Sequence, residues 1–194
     1  MKIINSDWND DIASAVDTMR RGGVILYPTD TIWGIGCDAR NSRAVEKVYE
    51  IKRRTDSKAM ICLVDSLAML DSVVDSVPDA AEQLIAAAVD PVTIVYDHGL
   101  NIASELLAPD GSVGIRLTHE PFSAALCRAM RGPVVSTSAN ISGENAPRCF
   151  AEISDDIKNA VDYVCRARRD EVPAAKPSTV IKISSGGLFK ILRK

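Results

Sequence analysis

Three short segments of this chain carry residue types that could do chemistry. The first is Pro28-Thr29-Asp30-Thr31, followed by Gly34 and Gly36, at the exit of the apolar run Val24–Tyr27. A buried strand that ends in hydroxyls and free backbone N–H groups suits a small polar ligand. The same residue types also satisfy ordinary turn geometry. The glycine spacing is neither G-x-G-x-x-G nor a Walker A motif. The second is Lys52-Arg53-Arg54 with Lys58, four cations within seven residues. Arg offers a planar fork to phosphate oxygens and Lys a mobile point charge. Cations after a helix also favour its dipole. The third is Ser136-Thr137-Ser138-Ala139-Asn140-Ile141-Ser142-Gly143, after the apolar residues Pro133–Val135. Its hydroxyls, amide and loop N–H groups can face an anion or a base edge, or simply cap the next element. Gly114-Ile115-Arg116, Pro177-Ser178-Thr179-Val180 and the basic end Lys190–Lys194 complete the set.

Other chemistries lack their parts. No G-x-S-x-G elbow is present, so a serine nucleophile is not expected. The two histidines, His98 and His119, read as surface or loop residues. No His/Cys/Asp/Glu set has metal-ligand spacing, so no protein-bound metal is expected. The five cysteines form no C-x-x-C pair and read as free buried thiols of a reducing compartment.

The elements that must position these residues follow from periodicity. The chain has 194 residues, 46% hydrophobic and 25% charged, which are the proportions of an ordinary globular protein. Helices are expected over Asp10–Arg21, Arg43–Lys52 (capped by Asn41-Ser42), Leu67–Val77, Asp79–Val89, Pro121–Met130 and Ile153–Val161. Strands are expected over Val24–Tyr27, Ala59–Val64, Val92–Tyr96, Val113–Leu117 and Pro133–Ser136. Ser178–Ile183 and Leu188–Leu192 form a terminal hairpin across Ser184–Gly187. Intermixed elements with hairpin joins predict an α/β (α+β) chain with a mixed sheet. The net charge of −3 exerts no global pull on nucleic acid, so any polyanion site must be a local cluster. The first residues do not read as a signal peptide, and no run approaches a membrane span. A cytoplasmic location and no membrane partner are expected.

Taken in order, these segments resemble the YrdC family, the TsaC-like threonylcarbamoyl-AMP synthases. The match runs through Gly23–Gly36, Lys52-Arg53-Arg54, Gly114-Ile115-Arg116, Ser136–Gly143, Pro177–Val180 and Ile191-Leu192-Arg193. The family's K-x-R and S-x-N signatures stand here as Lys52/Arg54 and Ser138/Asn140. The resemblance implies one YrdC-like domain over residues 1–194, a twisted mixed sheet with flanking helices around a concave, positively charged cleft. It implies that L-threonine, bicarbonate and ATP become L-threonylcarbamoyl-AMP and pyrophosphate, with Mg²⁺ arriving on ATP. The product would feed a separate threonylcarbamoyl transferase that modifies tRNA, and double-stranded RNA is a further expected ligand. By resemblance, Thr31, Arg116 and Ser178 match threonine-side positions. Lys52, Arg54, Lys58, Ser112, Ser136, Ser138, Asn140, Ala146 and Arg193 match nucleotide-side positions, with Lys52 and Arg54 as the candidates for stabilising charge.

The sequence also departs from the family pattern. Thr55 and Ala59 stand where prolines are common, and Ala88–Thr93 replaces a Trp-Pro-Gly-Pro-Leu-Thr-like stretch. These leave open a YciO-like paralogue that binds nucleotide without catalysis. The sequence ends at Lys194, so the cleft is expected to close with this domain alone or with a partner. An RNA-binding module using the same cleft is the remaining alternative. Aromatic content of 5% and the negative net charge count against it.

Overall fold

A computed structural model describes residues 8–53, 60–171 and 177–193. Its helices are α1 Asn9–Arg20, α2 Ser42–Ile51, α3 Leu67–Asp71, α4 Asp79–Ala87, α5 Pro121–Met130 and α6 Asp155–Ala160. Its strands are β1 Ile25–Tyr27, β2 Gly34–Gly36, β3 Ile61–Val64, β4 Val92–Tyr96, β5 Val113–Leu117, β6 Val134–Ser138, β7 Tyr163–Val164, β8 Thr179–Ile183 and β9 Phe189–Arg193. The nine strands form one twisted sheet in the order β7-β1-β2-β6-β3-β5-β4-β8-β9. The pairs β1–β7, β3–β5 and β4–β8 are parallel and the rest antiparallel, so the sheet is mixed as expected.

Local chemistry sets the helix starts. The Asn41 side chain accepts a hydrogen bond from Ala44 N and starts α2. Glu120 accepts from the backbone N–H groups of Phe122 and Ser123, with Pro121 at the first helical position of α5. Buried Asp11 on α1 accepts from Tyr163 Oη at 2.7 Å and from the N–H groups of Arg166 and Ala167 at 2.8 Å each. One carboxylate thus ties α1 to the β7 edge, with its oxygens satisfied as burial requires. No helix among the described residues is long and apolar enough to cross a membrane.

Several elements differ from the sequence expectation, and β7 has no expected counterpart. The helix expected over Leu67–Val77 stops at Asp71, because Val74 bridges Gly99 and the Val73 carbonyl accepts from Leu100 N. Tertiary backbone pairing there overrides helical propensity. The helix expected from Ile153 begins at Asp155, where Ser154 caps it through Ile157 N. β2 lies outside the expected strands; its sequence Gly-Ile-Gly has little strand propensity, and its neighbours β1 and β6 hold it extended. β6 runs two residues past its expected end at Ser136, so Ser138 joins Ser136 on one strand face instead of lying in a loop.

Gly36 shows how tightly β2 is enclosed. A Cβ there would lie 2.7 Å from Tyr27 Cε1 and closer still to the Val135 carbonyl oxygen. Gly36→Ala is therefore expected to destabilise the protein by about 1–3 kcal/mol or more through overpacking. Urea unfolding of the two proteins checks this; an unchanged midpoint would show that β1 and β6 can separate.

Candidate active site

The central strands place one end of the sheet under a cleft of about 350 Å³. Register explains why distant segments meet there. Gly34 pairs with Ser138, Ile61 with both Ser136 and Gly114, and Leu63 with Arg116. At the far side, Ser178 leads into β8 and Arg193 ends β9. Of the residues expected from sequence, Thr31, Arg116, Ser136, Ser138, Ala146, Ser178 and Arg193 line this cleft.

Thr29 and Thr31 stand on a turn held by its own hydroxyls. Thr29 Oγ1 donates to the Ile32 carbonyl at 2.7 Å, accepts from Thr31 N, and lies 3.1 Å from Thr31 Oγ1. Arg168 braces the turn from behind. Its Nη1 donates to the Thr29 carbonyl and pairs with Glu120 at 3.0 Å, while its Nε pairs with Glu171 at 2.7 Å. Arg168 holds φ +59°, a left-handed conformation that is uncommon outside glycine and turn-forming Asn or Asp.

Arg116 is 3% exposed, a full cation in the floor of the cleft. Its Nη1 lies 3.3 Å from Asp30 Oδ1 and 3.4 Å from Thr31 Oγ1. The Asp30 contact is close enough for an ion pair but lacks hydrogen-bond geometry, and Arg116 Nε is buried with no hydrogen-bond partner among the described residues. Burial works against the charged guanidinium, and the Asp30 carboxylate counters it. Burial likewise raises the Asp30 pKa from its ordinary value, and Arg116 only partly offsets this. Beyond the turn, Asp30 lines a second cavity of about 310 Å³ with His119 and Glu120.

Ser178 and Arg193 form the opposite wall. Ser178 Oγ lies 2.9 Å from Thr93 Oγ1, and Arg193 Nη2 donates to the Ser178 carbonyl at 3.0 Å and to Ser178 Oγ at 3.3 Å. Cleft-lining Trp33 packs on Phe150, with ring centroids 4.8 Å apart.

Lys52, Asn140 and Ser112 are not among the lining residues. Lys52 is the residue expected alongside the phosphates. Its ammonium points into the loop after β6, donating to the Ser138 carbonyl at 2.6 Å and the Asn140 carbonyl at 2.8 Å. Asn140 spends its amide N–H groups on the Ile141 and Glu144 carbonyls. Ser112 spends its hydroxyl on Asp110, at 2.6 Å. Arg54 and Lys58 lie outside the described residues. Asp30 and Thr93, the partners of Arg116 and Ser178, were not singled out as site residues. Asp30 sits in the quoted Thr29–Thr31 turn, but no spacing rule says it faces a strand more than eighty residues away.

The cysteines are free, and burial pushes the thiol of Cys62 up to about 12 and those of Cys37, Cys127 and Cys165 above their ordinary value. None of these four is a thiolate near neutral pH. His98 and His119 are exposed loop residues, as expected. The cleft therefore offers hydroxyls, two guanidinium groups and backbone dipoles. Such a lining is suited to anions, and among the described residues it carries no nucleophilic thiol or imidazole.

The Sua5/YciO/YrdC family model, described as "Telomere recombination", matches residues 17–194. This chain belongs to that family. Threonylcarbamoyl-AMP synthase of Stenotrophomonas maltophilia is 33% identical over 180 residues, 91% of this chain and 96% of the relative. A threonylcarbamoyl-AMP synthase of Xanthomonas campestris pv. campestris is 36% identical over 157 residues, 79% of this chain and 84% of the relative. Among solved structures, E. coli YciO superposes with a TM-score of 0.81 at 26% identity, covering 94% of this chain and 88% of YciO. P. abyssi Sua5 complexed with L-threonine has a TM-score of 0.81 at 24% identity, which speaks to fold alone. The match covers 88% of this chain and 50% of Sua5, so this chain spans about half of that longer protein.

The Asp30 environment sets a pH signature. A carboxyl whose folded pKa is raised binds more protons folded than unfolded, so its contribution to stability falls as pH rises. The window opens at the ordinary value of 3.8 and closes above the raised one. The stability of the wild type relative to Asp30→Asn should therefore be greater near pH 4 than near pH 7. Paired urea melts at the two pH values check this; a constant difference would mean that burial does not govern Asp30.

Proposed function

We propose that this chain is an L-threonylcarbamoyl-AMP synthase, making that intermediate and pyrophosphate from L-threonine, bicarbonate and ATP. The observation that carries the reading is Arg116, a buried cation whose Nε has no hydrogen-bond partner among the described residues, in a hydroxyl-lined cleft. An amino-acid carboxylate supplies the acceptor that this guanidinium lacks, through a charge-assisted bond. The family membership and the relatives named threonylcarbamoyl-AMP synthase support the same reading.

In this mechanism Arg116 anchors the threonine carboxylate, and the hydroxyls of Thr31 and Ser178 orient its polar groups. The threonine amine combines with bicarbonate to give a carbamate and water. A carbamate oxygen then attacks the α-phosphorus of ATP, and the bond from that phosphorus to the bridging oxygen of pyrophosphate breaks. Such a transfer depends on alignment and charge neutralisation rather than on a protein nucleophile. Ser136, Ser138, Ala146 and Arg193 would face the nucleotide, with Arg54 and Lys58 on its phosphates. The described cleft lining holds no carboxylate, and no His/Cys/Asp/Glu cluster suited to a metal is found among the described residues. The donor set fits Mg²⁺ carried in on the nucleotide phosphates, with serine or threonine hydroxyls and water as further ligands, where it would neutralise charge on the leaving pyrophosphate. The product, an activated carbamoyl adenylate, would be passed to a separate transferase acting on tRNA.

The test is pyrophosphate release from ATP and Mg²⁺ with threonine or bicarbonate omitted in turn. Release that needs both is expected. Nucleotide binding without threonine-dependent release would contradict the synthase and favour a YciO-like role. Arg116→Ala should raise the threonine KM roughly 10- to 100-fold, the loss of one charge-assisted contact, with a much smaller change in the ATP KM. Equal changes in both would remove Arg116 from the threonine side.

A further inference from the structure

We infer that Lys52 is a positioning residue: its ammonium shapes the loop that follows β6 from behind and does not itself contact the phosphates. This inference rests on the synthase reading for its kinetic part only. Lys52 is 2% exposed and ends α2. An ammonium has three donors and no acceptor. Here three acceptors of one loop converge on it: the carbonyls of Ser138 and Asn140 and, at 3.5 Å, Asn140 Oδ1. The Lys52 carbonyl in turn accepts from Ser142 N at 2.9 Å. The backbone from Ser138 to Ser142 is thus held by one residue, its ammonium at Ser138 and Asn140 and its carbonyl at Ser142.

The arrangement fixes the side of the loop that faces the cleft. Lys52 holds Asn140 Oδ1, so the Asn140 amide turns outward to the Ile141 and Glu144 carbonyls. Ala139 N donates to the Trp33 carbonyl, which ties the loop to the first segment of the site. Ser138 lines the cleft while its own carbonyl is held by Lys52. Without the cation, two or three carbonyl oxygens would face one another across a buried space. Electrostatics would then push the loop apart, displacing the Ser138 hydroxyl and the backbone beside it. Displacements of about 1 Å at such a site cost roughly 10²-fold in turnover.

The test compares Lys52→Met, which removes every donor at similar volume, with Lys52→Gln, which keeps two donors without the charge. For Lys52→Met, kcat for pyrophosphate release should fall about 10²-fold, with the ATP KM within about threefold of wild type. Calorimetric affinity for inorganic pyrophosphate should likewise stay within about threefold, since no phosphate contact is lost. The Asn140 side-chain amide signals should shift and exchange faster with solvent. Lys52→Gln should recover part of the turnover, because hydrogen bonding to the loop is what matters. Pyrophosphate affinity falling in step with kcat, unmoved Asn140 signals, or Lys52→Gln no better than Lys52→Met would each overturn the inference. If wild-type protein releases no pyrophosphate with threonine and bicarbonate, the synthase reading fails separately. The Asn140 signals and the pyrophosphate affinity then decide the role of Lys52.

Discussion

A guanidinium held out of water needs compensation, and most of the described site is arranged around meeting that need at Arg116. The strand that carries it, β5, is interior to the sheet and flanked by β3 and β4. Its cation therefore cannot escape to solvent as a surface arginine would. Asp30 supplies the opposing charge, yet the pair lacks hydrogen-bond geometry and leaves both Asp30 Oδ1 and Arg116 Nε without hydrogen bonds among the described residues. A half-compensated buried ion pair is a poor device for stability. It is a good device for capturing a carboxylate, because the desolvation is already in place before the ligand arrives.

That constraint explains features remote from Arg116. The Thr29–Thr31 turn must hold Asp30 beside the strand, and Arg168 accepts a left-handed backbone to brace that turn against Glu120 and Glu171. Ser178 is fixed by Thr93 and Arg193, so the opposite wall is also set by side chains of other strands. Lys52 performs the same service for the loop after β6. Each wall of the cleft therefore has its own brace, and charged side chains form two of the braces without facing the ligand space.

Much of this was legible in the sequence, for physical reasons. Long amphipathic stretches such as those of α1, α2 and α5 announce themselves by a 3.6-residue period, and their caps are local. Strand pairing depends on distant partners, so Gly34-Ile35-Gly36 and Tyr163-Val164 gave no signal of their own. Cleft residues were found where the motif residue itself faces the cleft, as Thr31, Arg116, Ser136, Ser138 and Ser178 do. Lys52 and Asn140 belong to equally clear motifs, but the motif does not say which way a side chain points. Their partners, set by the packing of α2 against the β6 loop, decide that. Asp30 and Thr93 escaped for the complementary reason: each matters through a contact made across the sheet.

The claim that Arg116 is a preformed anchor for an amino-acid carboxylate can be tested without any turnover. Calorimetric binding of L-threonine would be compared with that of L-threoninol, which keeps the amine and hydroxyl but lacks the carboxylate. The account predicts that threonine binds at least about 10-fold more tightly, the worth of one charge-assisted contact to a buried guanidinium. Equal or tighter binding of threoninol would contradict it.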